Sequence, residues 1–199
     1  MKLKCAVIAF SGSTGAQDIK DTCDYFDWKI DIIWHKDCFE KKYDVIFFPQ
    51  GNPYGNFDYS KEDIFETSNV MRNLPYSKTL LVGFSEGFQI LCKSEFLKGH
   101  LEKNINNEKY TGFKEFSFID NEILIPVSTS CGNFIKAPDF NHDIILKYNE
   151  NIISDNLIAG VYDYENKVVG MIANPNLAVL PKLRQTDGRK VFDFIKNVI

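Results

Sequence analysis

The fold of this chain is decided by the stretch Thr79-Leu80-Leu81-Val82-Gly83-Phe84-Ser85-Glu86-Gly87-Phe88-Gln89-Ile90-Leu91-Cys92. Its apolar first half predicts a buried parallel strand, and the spacing of apolar residues in its second half predicts a helix. Between them, Gly83–Gly87 has the pattern G-x-S-x-G, whose glycines permit a sharp turn that lifts the central side chain out of the sheet. The free N–H groups at the helix start suit a developing anion. The stretch therefore predicts a nucleophile elbow with Ser85 at its tip.

The composition indicates one globular domain over residues 1–199. The chain is 44% hydrophobic and 25% charged, with a formal net charge of −4, which leaves enough apolar material for a full core. Lysine and arginine form no cluster that would favour nucleic acid or a membrane surface. No apolar run reaches the roughly 20 residues of a membrane span. The N-terminal Met1-Lys2-Leu3-Lys4 leads straight into a short strand-like run, which does not fit a signal peptide.

The cysteines indicate a reducing compartment. There are five of them, and no two form a C-x-x-C pair: Cys5, Cys23, Cys38, Cys92 and Cys131. An odd, scattered set fits reduced thiols in a cytoplasmic protein better than a disulfide framework or a zinc site. We expect no metal and no cofactor.

Strand patterns alternate with helix patterns along most of the chain. The predicted strands are Cys5–Phe10, Lys29–His35 and Asp44–Pro49, and the predicted helices are 16–25, 61–74 and 188–198. Antiparallel ribbons are predicted over 110–127, and a hairpin pairs 155–163 with 167–172. The small-residue loop Ser11–Gly15 matches no phosphate-binding spacing, which favours a plain turn. Together these patterns predict a doubly wound, mostly parallel α/β sheet with helices on both faces and an antiparallel extension.

Five segments are notable for their order and spacing: Phe10-Ser11-Gly12-Ser13, Pro49-Gln50-Gly51-Asn52-Pro53-Tyr54-Gly55, Gly83–Leu91, Ile125-Pro126-Val127 with Gly132-Asn133-Phe134, and Ile158-Ala159-Gly160-Val161 with Gly170-Met171-Ile172-Ala173-Asn174-Pro175. Together they resemble the class I (triad) glutamine amidotransferases, and most closely the glutaminase subunits of phosphoribosylformylglycinamidine synthase, a ligase of purine biosynthesis. The resemblance runs from Cys5 to about Val179 and implies a flavodoxin-like sheet.

The resemblance also implies the positions of the catalytic groups. In that family a cysteine attacks the side-chain amide of glutamine, a histidine relays its proton, and a glutamate orients the histidine. These three positions fall on Ser85, Asn174 and Asn176. The oxyanion donors fall on Gly51 and on the backbone N–H of Glu86.

The implied substrate-binding residues lie on the elbow helix and on a later loop. They are Gln89 and the stretch Thr129-Ser130-Cys131-Gly132, which stands where the family usually has His-Gly-Glu-Gly. The implied partners are the large synthetase subunit of the same enzyme and its small bridging subunit.

The replaced triad predicts a protein without useful glutaminase activity. A cysteine thiol has a reference pKa of about 8.5, whereas the hydroxyl of Ser85 needs an adjacent base. The amide of Asn174 cannot accept or return a proton near neutral pH. Only oxyanion and binding effects would remain, worth at most about 10³–10⁴-fold over water. Three replacements together indicate natural loss, so we expect a pseudoenzyme that serves as a non-catalytic partner; the alternative is an active glutaminase subunit.

A serine hydrolase is a further alternative, because G-x-S-x-G also occurs in that class. It would need a histidine beside Ser85, and the chain has only His35, His100 and His142. None of them falls at the family's histidine position. We expect His35 to be a satisfied structural histidine, since no second histidine lies at ligand spacing.

Four other residues carry smaller expectations. Some relatives of this fold have a reactive elbow cysteine; here Cys131 is the only plausible exposed thiol, although an ordinary loop residue is favoured. Tyr54 and Phe57 are equally consistent with anchors for a partner and with packing inside their own loop. The carboxylate of Glu86 would oppose an oxyanion at the elbow.

Overall fold

The computed structural model describes residues 2–38, 42–52, 59–74, 79–181 and 185–199. The strands there are β1 (Lys4–Ala9), β2 (Lys29–Trp34), β3 (Val45–Phe48), β4 (Leu80–Phe84), β5 (Gly99–Glu102), β6 (Tyr110–Phe118), β7 (Asn121–Thr129), β8 (Asn133–Lys136), β9 (Asp143–Tyr148), β10 (Ile158–Asp163) and β11 (Val168–Met171). The helices are α1 (Ala16–Tyr25), α2 (Lys61–Thr67), α3 (Asn69–Arg72), α4 (Glu86–Lys93) and α5 (Gly188–Asn197), with a 3-10 helix at Pro175–Ala178. None of these helices is long and apolar enough to cross a membrane.

The main sheet has a parallel half and an antiparallel half. Its strand order is β2-β1-β3-β4-β11-β10-β9-β6-β7. The pairings from β2 through to β11 are parallel, and those from β11 through to β7 are antiparallel. The predicted α/β sheet, its antiparallel ribbons and its hairpin are therefore confirmed. The small sheet of β5 and β8 was not predicted.

Helices cover both faces of the parallel half. Along β1 the side chains alternate, as they do in any strand that is buried on both faces. Cys5 and Val7 join the apolar cluster that contains the buried residues of α1 and α5. Ala6 and Ile8 join the second cluster, with the buried apolar residues of α2, α3 and α4. Because β1, β3, β4 and β11 are parallel, their carboxyl ends meet at one edge, where open α/β sheets bind ligands.

The single helix predicted over 61–74 is wrong, since two helices occupy that stretch. Ser68 between them has an extended backbone (φ −119°, ψ 112°) and caps α3 by accepting a hydrogen bond from the Met71 N–H. Its hydroxyl also donates to the carbonyl of His35 at 2.9 Å. A contact from the end of β2 therefore stabilises a break that apolar periodicity alone does not indicate.

We expect Ser68→Ala to lower the free energy of unfolding by about 1–2 kcal/mol, because it removes a buried cap and a buried hydrogen bond together. The matched control is Ser60→Ala, which removes the exposed cap of α2 and should cost about 0.5–1 kcal/mol. Urea unfolding curves of both variants measure the difference. Equal losses would contradict a stabilising role for the His35 contact.

The loop between β1 and α1 is a plain turn, as predicted. The N–H groups of Thr14 and Gly15 both donate to the carbonyl of Gln50, at 3.0 and 3.1 Å, and the Ser13 N–H donates to Phe10. Three of the backbone donors that a phosphate could use in this loop are therefore already hydrogen-bonded inside the protein.

Candidate active site

Ser85 sits on a strained turn between β4 and α4. Its backbone lies at φ 52° and ψ −110°, in the positive-φ region that residues with a Cβ rarely adopt. The turn is held on both sides: the Ser85 N–H donates to the carbonyl of Met171 at 2.8 Å, and its carbonyl accepts from Phe88 and Gln89. The strand-to-helix elbow predicted from the sequence is confirmed.

The two flanking glycines are required by close backbone contacts. A Cβ on Gly83 would lie 2.5 Å from the carbonyl oxygen of Gly87, and one on Gly87 would lie 2.0 Å from that of Phe48. Side chains at these positions would push α4 away from β3 and β4. The glycines thus position the helix start against the sheet.

A cavity of about 310 Å³ opens beside Ser85. That volume is within the range of small-molecule sites. The described residues that line it are Gly51, Asn52, Ser85, Glu86, Gln89, Leu101, Lys109, Ser128, Thr129, Ser130, Cys131 and Ile172. Both positions assigned to oxyanion donors and four of the five assigned to substrate binding are among them.

The two residues predicted as oxyanion donors have backbone N–H groups that the local secondary structure does not use. Gly51 forms an isolated antiparallel bridge with Ser13. The hydrogen bonds of that bridge come from the neighbours Thr14 and Asn52, so the Gly51 N–H is not used by it. The Glu86 N–H belongs to the first turn of α4, where no intrahelical acceptor exists.

Asn174 and Asn176 are buried and are not among the described lining residues of the cavity. The side-chain N–H of Asn176 donates to Oε1 of Gln50 at 3.3 Å, and the backbone N–H of Asn174 donates to Pro126. Within the described ranges, neither side-chain oxygen has a hydrogen-bond partner. Both side chains are amides and supply no base.

No histidine in the described part of the chain lines the cavity next to Ser85. His35 is buried at the end of β2, and His100 is exposed on β5. The Nε2 of His142 accepts a hydrogen bond from the Lys98 N–H at 2.9 Å. Burial lowers the pKa of both His35 and His142. The prediction that His35 is a satisfied structural histidine is wrong for its Nδ1, which has no hydrogen-bond partner in the described structure.

Glu86, which lines the cavity, has a buried carboxyl group. Only 5% of the residue is exposed, and Oε1 accepts a hydrogen bond from the hydroxyl of Tyr59 at 2.5 Å. Burial raises the pKa of Glu86 to about 7, against the opposing effects of the Tyr59 hydrogen bond and the Lys93 charge. The ammonium of Lys93 itself donates to the carbonyl of Tyr59 and lies over its ring.

The stretch 129–132, which was predicted to bind substrate, is only partly in the cavity. Thr129, Ser130 and Cys131 line it, and the Thr129 hydroxyl accepts from the Cys131 N–H at 3.0 Å. Gly132 is not among the lining residues; its N–H donates to the side chain of Asn104 at 2.8 Å. Sequence reasoning missed five lining residues: Asn52, Leu101, Lys109, Ser128 and Ile172. Asn52 and Ile172 lie inside two of the quoted segments, which gave them no role, and no quoted segment contains Leu101, Lys109 or Ser128.

The exposed thiol is not the one that the sequence favoured. Cys131 is 5% exposed, and its burial raises the pKa of the thiol, so the prediction of an exposed thiol there is wrong. The exposed cysteine is Cys38, and all five thiols are unpaired. Tyr54 and Phe57, predicted as anchors for a partner or as loop packing, lie outside the described residues.

We expect mild alkylation of the native chain to modify Cys38 first and to leave Cys131 unmodified until the protein unfolds, because only an exposed thiolate reacts readily. Peptide mass spectrometry after a time course measures this order. In the Cys38→Ser variant, the rapid alkylation at the start of the time course should disappear. Rapid labelling of Cys131 in the folded chain would contradict its burial.

Comparison with known proteins finds relatives that align with nearly the whole of this chain. The phosphoribosylformylglycinamidine synthase subunit PurQ of Leptospira interrogans is 30% identical, over 97% of this chain and 99% of that protein. No family model matches. Among solved structures, PurLQS from Thermotoga maritima is similar with a TM-score of 0.86 and 25% identity, over 99% of both chains.

Two more distant structures share the fold. A putative GMP synthase subunit from Thermoplasma acidophilum has a TM-score of 0.73 at 14% identity, covering 100% of this chain and 94% of that one. A glutamine amidotransferase from Thermotoga maritima has a TM-score of 0.60 at 12% identity, covering 99% and 91%.

Proposed function

Because this chain belongs to the class I glutamine amidotransferase family, close to its PurQ members, we propose that it is a PurQ-like subunit of phosphoribosylformylglycinamidine synthase that does not hydrolyse glutamine. Its role is that of a non-catalytic partner of the large synthetase subunit, with the small bridging subunit, in the cytoplasm. The similarity to a structure named PurLQS supports the partnership.

The observation that carries this proposal is the lack of an imidazole base in the described lining beside the elbow, where the carboxyl of Glu86 is already hydrogen-bonded to the Tyr59 hydroxyl. Ser85 is presented on an intact turn, but the described lining of the cavity contains no imidazole. A serine hydroxyl without a base is a poor nucleophile, because its proton has no acceptor as it attacks. Asn174 stands where the family has its histidine, and Asn176 stands where the family has the glutamate that orients it.

The charge at the elbow adds a second obstacle. Attack on an amide places negative charge near the Glu86 N–H, and Glu86, which lines the same cavity, carries a buried carboxyl group. Above its pKa of about 7 the group is an anion, which opposes a developing oxyanion in a site of low dielectric constant. The electrostatic stabilisation that normally drives acyl transfer is therefore reduced.

Glutamate release from glutamine, measured with the purified chain alone and mixed with the large synthetase subunit, tests the proposal. We expect no more release than Ser85→Ala gives, together with co-elution of the two proteins in size-exclusion chromatography. Glutamate release that Ser85→Ala abolishes would show an active glutaminase or hydrolase. Failure to co-elute would contradict the partnership.

A further inference from the structure

The main sheet ends in the edge strands β2 and β7, which differ in what covers their backbone. Along β7 the Leu124 N–H donates to the carboxylate of Asp187, and the Leu124 carbonyl accepts from the side chain of Gln185, both at 2.9 Å. The carbonyl of Pro126 accepts from the Asn174 N–H at 2.8 Å. The segment after β11 therefore covers β7, and Pro126 itself removes one donor from that edge.

The edge of β2 has no comparable cover among the described residues. The Lys29 N–H donates to the carbonyl just before β1 at 2.9 Å. Because backbone groups alternate between the two sides of a strand, those of Ile30, Ile32 and Trp34 point away from β1. Within the described ranges, the hydrogen bond made by these outward groups is the one from the Asp37 N–H to the Trp34 carbonyl. The edge therefore offers a row of backbone donors and acceptors to another strand.

The side chains at this edge are apolar as well. Ile30, Ile32 and Trp34 lie on one face of β2. Ile30 packs against the apolar cluster that contains the buried residues of α1 and α5, whereas Ile32 is 47% exposed and Trp34 is 40% exposed. Natural edge strands are usually protected by charges or prolines, and these three residues are neither. Such an edge is typical of a strand that pairs with a strand of a second chain.

We propose that β2 is an interface between two copies of this chain, which pair antiparallel about a two-fold axis at Ile32. In this register Ile32 lies opposite Ile32 of the second copy, and Ile30 lies opposite Trp34. Each outward N–H of these residues then meets an outward carbonyl, as in the hydrogen-bonded pairs of an antiparallel ladder. The Trp34 carbonyl has a second lone pair for this bond. The exposed apolar side chains of both copies come together on one face of a continuous sheet.

The neighbouring registers are less favourable. Pairing Ile30 with Ile32 would put Asp31 directly opposite Asp31 of the second copy, and like charges directly opposite are destabilising. Pairing Ile32 with Trp34 would leave Ile30 beyond the end of the other strand. In the proposed register Asp31 lies opposite Ile33. The edge is thus self-complementary, which a two-fold interface requires.

The ends of the strand add no net repulsion. Antiparallel pairing brings the exposed Lys29 near the exposed Lys36 and Asp37 of the second copy, whose opposite charges offset each other. Because β2 has six residues, the interface is small, and we expect a dissociation constant in the micromolar range. Strands β1 and β3 separate β2 from the elbow strand β4, so the inference does not depend on the proposed function.

Sedimentation equilibrium of the purified chain over a range of concentrations tests the inference. We expect a monomer–dimer equilibrium that Ile32→Lys weakens at least about tenfold, because two lysines would face each other at the axis. Ile32→Pro should cause a similar loss, since it removes the outward N–H and no hydrogen bond to β1. The control Ile119→Lys changes an isoleucine that is 52% exposed in the turn between β6 and β7, and it should dimerise like the parent. Thermal unfolding verifies that the variants fold.

A cysteine at the axis tests the register. In a Cys38→Ser background, Ile32→Cys should form an intermolecular disulfide with oxidised glutathione, because paired residues of this type have Cα atoms about 5.5 Å apart. Ile119→Cys in the same background should stay unlinked.

A chain that remains monomeric, a dimer that survives both the lysine and the proline variant, or a dimer that forms no cross-link through position 32 would overturn the inference. Co-elution with the synthetase that Ile32→Lys abolishes, from a chain that is monomeric alone, would assign the edge to that partner and overturn it as well. Neither glutamate release nor its absence bears on these results.

Discussion

The triple variant Ser85→Cys, Asn174→His, Asn176→Glu is expected to release glutamate from glutamine at least about 10³-fold faster than the parent chain. The elbow turn is already present, and Gly51 and Glu86, whose N–H groups are the predicted oxyanion donors, line the cavity. What the parent lacks is a thiolate nucleophile and an oriented base. These groups act as one unit, so Ser85→Cys alone should give little activity.

The control for this experiment is the same triple variant with Ser85→Ala in place of Ser85→Cys. It carries the same two changes at the buried asparagines, including loss of the Asn176 hydrogen bond to Gln50. Thermal unfolding verifies that both variants fold. A folded triple variant that is no faster than this control would contradict the view that only the proton-transferring groups are missing.

The parts of the fold that were predicted correctly are those fixed by local sterics and periodicity. The elbow follows from Gly83 and Gly87, whose missing Cβ atoms let backbone atoms approach to contact. Helix α1 has the bounds predicted from the apolar spacing. The break at Ser68 was not predictable in this way, because it depends on a hydrogen bond to a residue 33 positions earlier.

The candidate site, like the fold, was predictable only where it depends on local sequence. The resemblance placed Ser85, Gly51 and Gln89 at one cavity, and the structure brings them together there. It could not show that Cys131 is buried, since burial depends on packing between distant segments. The hydrogen bond that ties Tyr59 to Glu86, 27 residues apart, is likewise non-local. Lys109 and Ser128 reach the cavity because β6 pairs with β7, and no motif marks either residue.

The variant Glu86→Gln is expected to be more stable than the parent at pH 8 and equally stable at pH 4. In the folded chain, burial raises the pKa of Glu86 from 4.5 to about 7. Between these values the folded state therefore binds more protons than the unfolded state, so the parent loses stability as pH rises. At about 1.36 kcal/mol for each pKa unit, the full penalty above pH 7 is about 3 kcal/mol.

Urea unfolding of both proteins at pH 4, 6 and 8 measures this dependence. The glutamine side chain introduced at position 86 keeps an oxygen that can accept from the Tyr59 hydroxyl. The variant therefore removes the charge and preserves that hydrogen bond. Other groups, including His35 and His142, titrate equally in both proteins and cancel in the difference. Glu165→Gln, exposed in its turn, should give a difference near zero at every pH. A difference between Glu86→Gln and the parent that does not change from pH 4 to pH 8 would show that the carboxyl is not held in a desolvated site.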